Sequence, residues 1–320
     1  MNKIDTVEKA NELNIIDEIQ NQSLYIGLGS LILYFLLIAV NGIEFFPLWL
    51  RTSNIFAYIV VICYFTLIQV RKKKKVKLAS FKWQKKLSIV EKTILTVTAY
   101  LIATIFIDLN ALFLLITTPT LNPENLTSIS YKTMSWSTFL LIIFFSSIFE
   151  EIIFRNFMVK SLAKYDVMFA IISISIIFAM AHAVGVVYAF ISSVLFGMLY
   201  ICTRSIIFPC LMHLAINFPS DLTYAKFMGK YGELSTNTII NQALISIGIS
   251  LLLLALIFVI FKNNAKLRVI FINFTPVAIY KSIKINKKLY KAFFSSVPIA
   301  FYLILTFSAV LMYYAFLITK

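Results

Sequence analysis

The sequence is short of charge, of cysteine and of histidine, and each shortage excludes something. Only 13% of its 320 residues are Asp, Glu, Lys or Arg, while 60% are hydrophobic. A soluble globular domain is closer to half apolar and a quarter charged, so an ordinary water-soluble fold is excluded. The three cysteines, Cys63, Cys202 and Cys210, all fall in apolar segments. They read as facing core or lipid, not as a disulfide or zinc framework. Two histidines, His182 and His213, are all the chain has, and the H-E-x-x-H spacing of zinc peptidases is absent. No charged-then-apolar-then-cleavage order opens the chain. The stretch "MNKIDTVEKANELNIIDEIQNQ" is therefore expected to be a short amphipathic helix and not a signal peptide.

What the chain has instead is hydrophobic runs. About nine of them approach the roughly 20 residues that a crossing helix needs: 24–41, 54–70, 91–117, 136–158, 167–183, 186–202, 206–222, 239–261 and 293–317. The expected fold is all-α, a polytopic transmembrane helical bundle of about nine membrane-spanning helices. The net charge of +15 sits at the ends of these runs, which is how a membrane protein displays cytoplasmic loops. Nucleic-acid binding is not expected. The basic clusters are "RKKKKVK" at 71–77 with "KWQKK" at 82–86, Lys160 with Lys164, Arg204, and the group from Lys262 through Lys266 and Arg268 to "KSIKINKKLYK". With nine spans and the N-terminus inside, all four fall on one side. That side is expected to be cytoplasmic, in a multi-pass protein of the cell membrane. The loop "TPTLNPENLTSIS" on the other side is poor in basic residues.

Against this background "FEEIIFRNFM", residues 149–158, stands out. It places Glu150, Glu151 and Arg155 inside an apolar run, and an ionisable residue at membrane depth is a functional-site hypothesis by default. The competing reading is a structural ion pair between helices or a helix end near the interface. On a helix Glu151 and Arg155 are four apart with the acid first, the favourable order for a pair. Glu150 is turned about 100° away. The pair can thus be structural while Glu150 faces a cavity. Both histidines follow in later spans. "FAMAHA" puts Phe178 and His182 on one helical face, and "HLAIN" does the same for His213 and Asn217. Counted from the loop at Lys164, Glu150 and His182 reach similar depth. His213, only nine residues beyond Arg204, is expected to lie shallower.

These residues carry a resemblance. "EEIIFR" resembles the E-E-x-x-x-R motif of the CPBP family, the CAAX-protease and bacteriocin-processing membrane proteins also called Abi. "FAMAH" resembles its F-x-x-x-H motif, and "FISSVLFGMLYICTRSIIFPCLMHLAIN", from Phe190 to Asn217, resembles its third region with the closing H-x-x-x-N. The resemblance covers roughly 85–262. It divides the chain into residues 1–84 with the amphipathic segment and two spans, a peptidase-like core at 85–262, and residues 263–320 with a basic cytoplasmic segment and the last span. Arg204 stands where the family often has glycine, a departure that leaves the motif positions intact.

The resemblance implies an intramembrane endopeptidase of the glutamate type, a hydrolase acting in proteolysis. Glu150 and His182 would position and deprotonate the attacking water, and His213 and Asn217 would stabilise the oxyanion. Glu151, Arg155 and Phe178 would support the site. The residue types suit those roles, since imidazole and amide N–H groups are good donors to a developing oxyanion in a dry site. Its substrates would be membrane-associated peptides or proteins: prenylated CaaX tails, leader or pheromone peptides, or bacteriocins in self-immunity. The bilayer itself is the other expected partner. No cofactor is expected. Two histidines and a glutamate could hold zinc, which stays as the alternative. From other classes, the rivals are a catalytically inactive scaffold or immunity protein acting through partner binding, and a proton-relaying transporter. A transporter usually shows internal repeats, and none is visible in the hydropathy.

Overall fold

The computed structural model describes residues 3–42, 54–71, 86–117, 136–182, 185–227 and 236–319. Every regular element among them is helical. The chain runs through α1 (Lys3–Gly42), α2 (Ile55–Arg71), α3 (Ile89–Thr117) and α4 (Trp136–Glu151). The last of these passes without a break into a π-helical segment, Ile152–Val159, and then α5 (Lys160–Leu162). After it come α6 (Val167–Met180), α7 (Val186–Thr203), α8 (Ile207–Phe227) and α9 (Thr236–Asn263). Three short helices, α10 (Ala265–Asn273), α11 (Pro276–Ile285) and α12 (Lys287–Phe294), lead into α13 (Val297–Thr319).

Each of the nine apolar runs is largely helical in its described part, the last one broken at Ser295 and Ser296, so all-α architecture is what the sequence led one to expect. Among the described residues, four helices are long and apolar enough to cross a membrane: Glu12–Val40, Ile89–Phe113, Val186–Thr203 and Ile240–Asn263. A fifth appears if α12 and α13, bent 77° to one another, are taken as one span. α2 and α6 are apolar but shorter. The N-terminal polar stretch is no separate helix: α1 runs unbroken from it into the first apolar run.

Local signals set the helix ends. Ser88 and Glu91 bond reciprocally, Ser88 N–H to Glu91 Oε2 at 2.7 Å and Glu91 N–H to Ser88 Oγ at 3.2 Å, so α3 opens on a capping box. Asp166 accepts the Phe169 N–H at 2.7 Å to start α6. Thr275, followed by Pro276, caps α11 in the same way.

The outer surface is apolar. Along α9, Leu244, Ile245, Ile249, Leu252, Leu256 and Phe258 are all exposed. A patch of this size in water would drive association; in lipid it is solvated. The chain is a multi-pass membrane protein. The buried core centres on α6 and α7, where nearly every α6 side chain is enclosed. Gly197 makes their approach possible: a Cβ there would sit 3.0 Å from Ile171 Cγ2.

Charged residues gather at one end of the bundle. Lys164 meets Glu18 at 2.7 Å, Lys288 meets Glu12, and Lys266 meets Glu91 at 3.2 Å. Ser282 on α11 reaches Asp166 at 3.4 Å, and Lys92 lies over the Phe208 ring just past Arg204. Tyr165 donates to Glu18. Burial and that carboxylate push its phenol above the ordinary value. Apart from Arg71 and Lys86, the clusters at 71–77 and 82–86 lie outside the described residues, as does "TPTLNPENLTSIS".

Candidate active site

The site is assembled where α4 becomes π-helical. Lys160 N–H bonds back to the Arg155 carbonyl, five residues earlier. A π turn is wider than an α turn and is found most often as a single bulge near functional sites. Here it extends over eight residues. Just before it stand Glu150 and Glu151, and within it Arg155.

Glu151 and Arg155 are both 0% exposed. Arg155 Nε donates to Glu151 Oε2 at 3.0 Å, the pairing that the i, i+4 spacing predicts. The guanidinium also donates from Nη2 to Ser193 Oγ on α7 at 3.0 Å. It lies over two aromatic rings, 5.3 Å from the centroid of Phe178 and 5.5 Å from that of Phe196. A buried cation is thereby matched by a carboxylate, a hydroxyl and two π faces.

His213 is not shallower than the glutamates. Its Nδ1 lies 3.0 Å from Glu151 Oε1 and its Nε2 3.7 Å from Glu150 Oε2. The depth expectation failed because it counted from Lys164 and Arg204 as though both turns lay at one level; α7 and α8 are joined by Arg204–Ile206. Arg204 takes a left-handed φ of 54° and turns the chain at once. The His213 ring stacks on Phe196 with centroids 4.6 Å apart, so its orientation is fixed from the side as well as from Nδ1.

His182 lies just past the end of α6, not within it. Its Nδ1 is 2.8 Å from the Phe178 carbonyl. A carbonyl only accepts, so Nδ1 carries the proton and Nε2 is the accepting nitrogen of the neutral ring. Phe178 thus serves three neighbours: its carbonyl orients His182, and its ring covers Arg155 and packs beside His213. Asn217 on α8 donates Nδ2–H to Ser147 Oγ at 3.2 Å.

All four lie around one cavity of about 210 Å³. Glu150, His182, His213 and Asn217 line it, with Phe178, Phe196, Tyr188 and Ser192 among the others. Two polar atoms in this wall are buried without a hydrogen bond, Glu150 Oε2 and Ser192 Oγ. Buried polar atoms are seldom left so. A water or a peptide group in the cavity would satisfy both. Among the described residues no three His, Cys, Asp or Glu side chains are grouped as a metal site.

One contact had no signal in the sequence. Tyr58, on α2, donates its hydroxyl to Glu150 Oε1 at 2.5 Å across 92 positions of chain. Neither Tyr58 nor Ser193 stands in a motif that singles it out.

The comparison with known families agrees with the motifs. Residues 132–219 match the family described as Type II CAAX prenyl endopeptidase Rce1-like. No curated protein and no solved structure matches the chain. The match is narrower than 85–262: it takes in α4 to α8 as far as residue 219 and leaves out α3 and α9. Every residue named above as lining the cavity falls inside it. The segment that builds this cavity is therefore similar to the CPBP/CAAX protease family.

Proposed function

We propose that the protein is an intramembrane endopeptidase that hydrolyses peptide bonds in membrane-anchored peptides or proteins, with Glu150 as its water-activating residue. The observation that carries this reading is the buried Glu150 Oε2, without a hydrogen bond, in a cavity shared with both histidines and Asn217. Glu150 takes the proton of a water that His182 Nε2 holds. The water oxygen attacks the scissile carbonyl carbon, and charge develops on the carbonyl oxygen. Asn217 donates to that oxygen from its amide, and His213 from Nε2. His213 already gives Nδ1–H to Glu151, so donation from Nε2 requires the imidazolium, whose charge the two neighbouring carboxylates offset. The proton on Glu150 then passes to the leaving amine. No metal takes part in this scheme.

The nine helical runs are nine crossings, with the charged end of the bundle in the cytoplasm. The substrate enters from that face, or laterally from the inner leaflet, held by a lipid or an apolar segment. Its role is the processing of such peptides or immunity to a bacteriocin.

The test compares membrane peptidomes of cells carrying the wild-type protein or Glu150→Gln at equal abundance. New peptide ends confined to the wild type are expected. Identical peptidomes, with both proteins folded, would overturn the enzyme reading and favour a scaffold that acts by binding.

A further inference from the structure

We infer that Tyr58, on a helix outside the family-matched segment, is a positioning residue of the site: its hydroxyl fixes the Glu150 carboxylate so that Oε2 is the oxygen presented to the cavity. The inference rests on the proposed role of Glu150.

Glu150 has two oxygens with different surroundings. Oε1 accepts the Tyr58 hydroxyl. Oε2 is buried without a hydrogen bond and lies 3.7 Å from His213 Nε2. A glutamate side chain alone can rotate its carboxylate and exchange the two. One donor on either oxygen holds the carboxylate plane with the other oxygen toward the cavity, and a base must be held within hydrogen-bond reach of the proton it takes.

Tyr58 is itself held firmly. It is 4% exposed and does not line the cavity, so its part is exerted through Glu150. Its ring packs against Phe149, centroids 6.1 Å apart. Two turns further along α2, Phe65 stacks on Phe157 of the π-helical segment at 5.5 Å. Residues 58 and 65 share one helical face. That face is clamped at both ends to the element that carries Glu150. α1 in turn packs against α2. The N-terminal helices, which the family match leaves out, thus gain a role: they deliver one hydroxyl to the reacting carboxylate.

Tyr58→Phe keeps the ring and removes the donor. Two readouts are compared in purified protein and in cells. The infrared band of the Glu150 carboxyl group, assigned as the band lost in Glu150→Gln, is expected to shift in Tyr58→Phe. Glu150-dependent peptide ends are expected to form roughly ten- to hundredfold more slowly, the scale of one hydrogen bond to a charged group. If Tyr58→Phe accumulates poorly, the contact is read from the other side, by a shift of the Tyr58 phenol band in Glu150→Gln. An unmoved band overturns the contact. A wild-type rate in Tyr58→Phe, alongside an inactive Glu150→Gln, overturns the positioning role. A fully active Glu150→Gln overturns the reading of Glu150 itself, which the Tyr58 bands leave untouched.

Discussion

His213 Nδ1 lies 3.0 Å from Glu151 Oε1, so the carboxylate that neutralises Arg155 also orients a histidine of the cavity. Glu151 is therefore more than half of an ion pair. Glu151→Gln leaves Arg155 buried without its counter-charge. Removing one partner of a buried pair costs about 3–5 kcal/mol. Expression and thermal stability should fall, and the activity of whatever protein remains should fall with them. Glu150→Gln should leave folding and melting temperature near wild type while abolishing cleavage. A Glu150→Gln protein that cleaves normally would end the assignment.

Arg155→Lys tests the guanidinium geometry. The planar fork reaches Glu151 and Ser193 at once while lying over Phe178 and Phe196. An ammonium is a compact point charge and cannot reproduce that arrangement. A melting temperature well below wild type is expected despite the conserved charge. Ser193→Ala, which removes only one of these contacts, should cost about 1–3 kcal/mol. Equal stability of Arg155→Lys and wild type would show the fork to be dispensable.

Gly185→Ala bears on the cavity wall. Gly185 has φ 76°, a conformation that alanine adopts only with strain. A Cβ there would also overlap the Tyr188 ring, 2.0 Å from Cε1. Tyr188 must turn away, and it lines the cavity. The expected result is a changed KM together with roughly 1 kcal/mol or more of lost stability. Unchanged kinetics would separate Tyr188 from substrate binding.

Metal dependence is checked directly. Cleavage by purified protein is expected to survive a strong chelator, and elemental analysis to find less than one metal per chain. Inhibition reversed by zinc would replace the two-residue activation of water with a metal-bound water.

Sidedness follows from the turn after α7. A cysteine in place of Ser205, read against the parent chain as background, should react with an impermeant thiol reagent only when the cytoplasmic face is exposed. Labelling from outside would invert the orientation and remove cytoplasmic access to the cavity.

The legible parts of this protein were those encoded at short range. Glu151 and Arg155 meet because they are four apart. Phe178 and His182 also meet, although His182 lies past the helix end and bonds to the Phe178 carbonyl. The longer helices among the described residues were legible as apolar runs. Which of them cross a membrane was not, because α2 and α6 fall below spanning length by themselves. The π-helical segment left no mark, since apolar residues that suit an α turn also suit a wider one. Tyr58 was out of reach for another reason: its partner is 92 residues away, and only the packing of α2 brings them together.

The self-paired arrangement of Glu151 and Arg155 also matters while the protein is being made. With the nine crossings proposed above, the helix bearing them enters the bilayer before its later partners exist. Ser193 is 38 residues beyond Arg155, and His213 is 62 beyond Glu151. At about 5–20 residues per second, the ribosome delivers His213 roughly 3–12 s after Glu151. Two separated charges would be stranded in hydrocarbon for that interval. Joined within one turn, they insert as a formally neutral unit. The nascent helix can wait for the rest of its site.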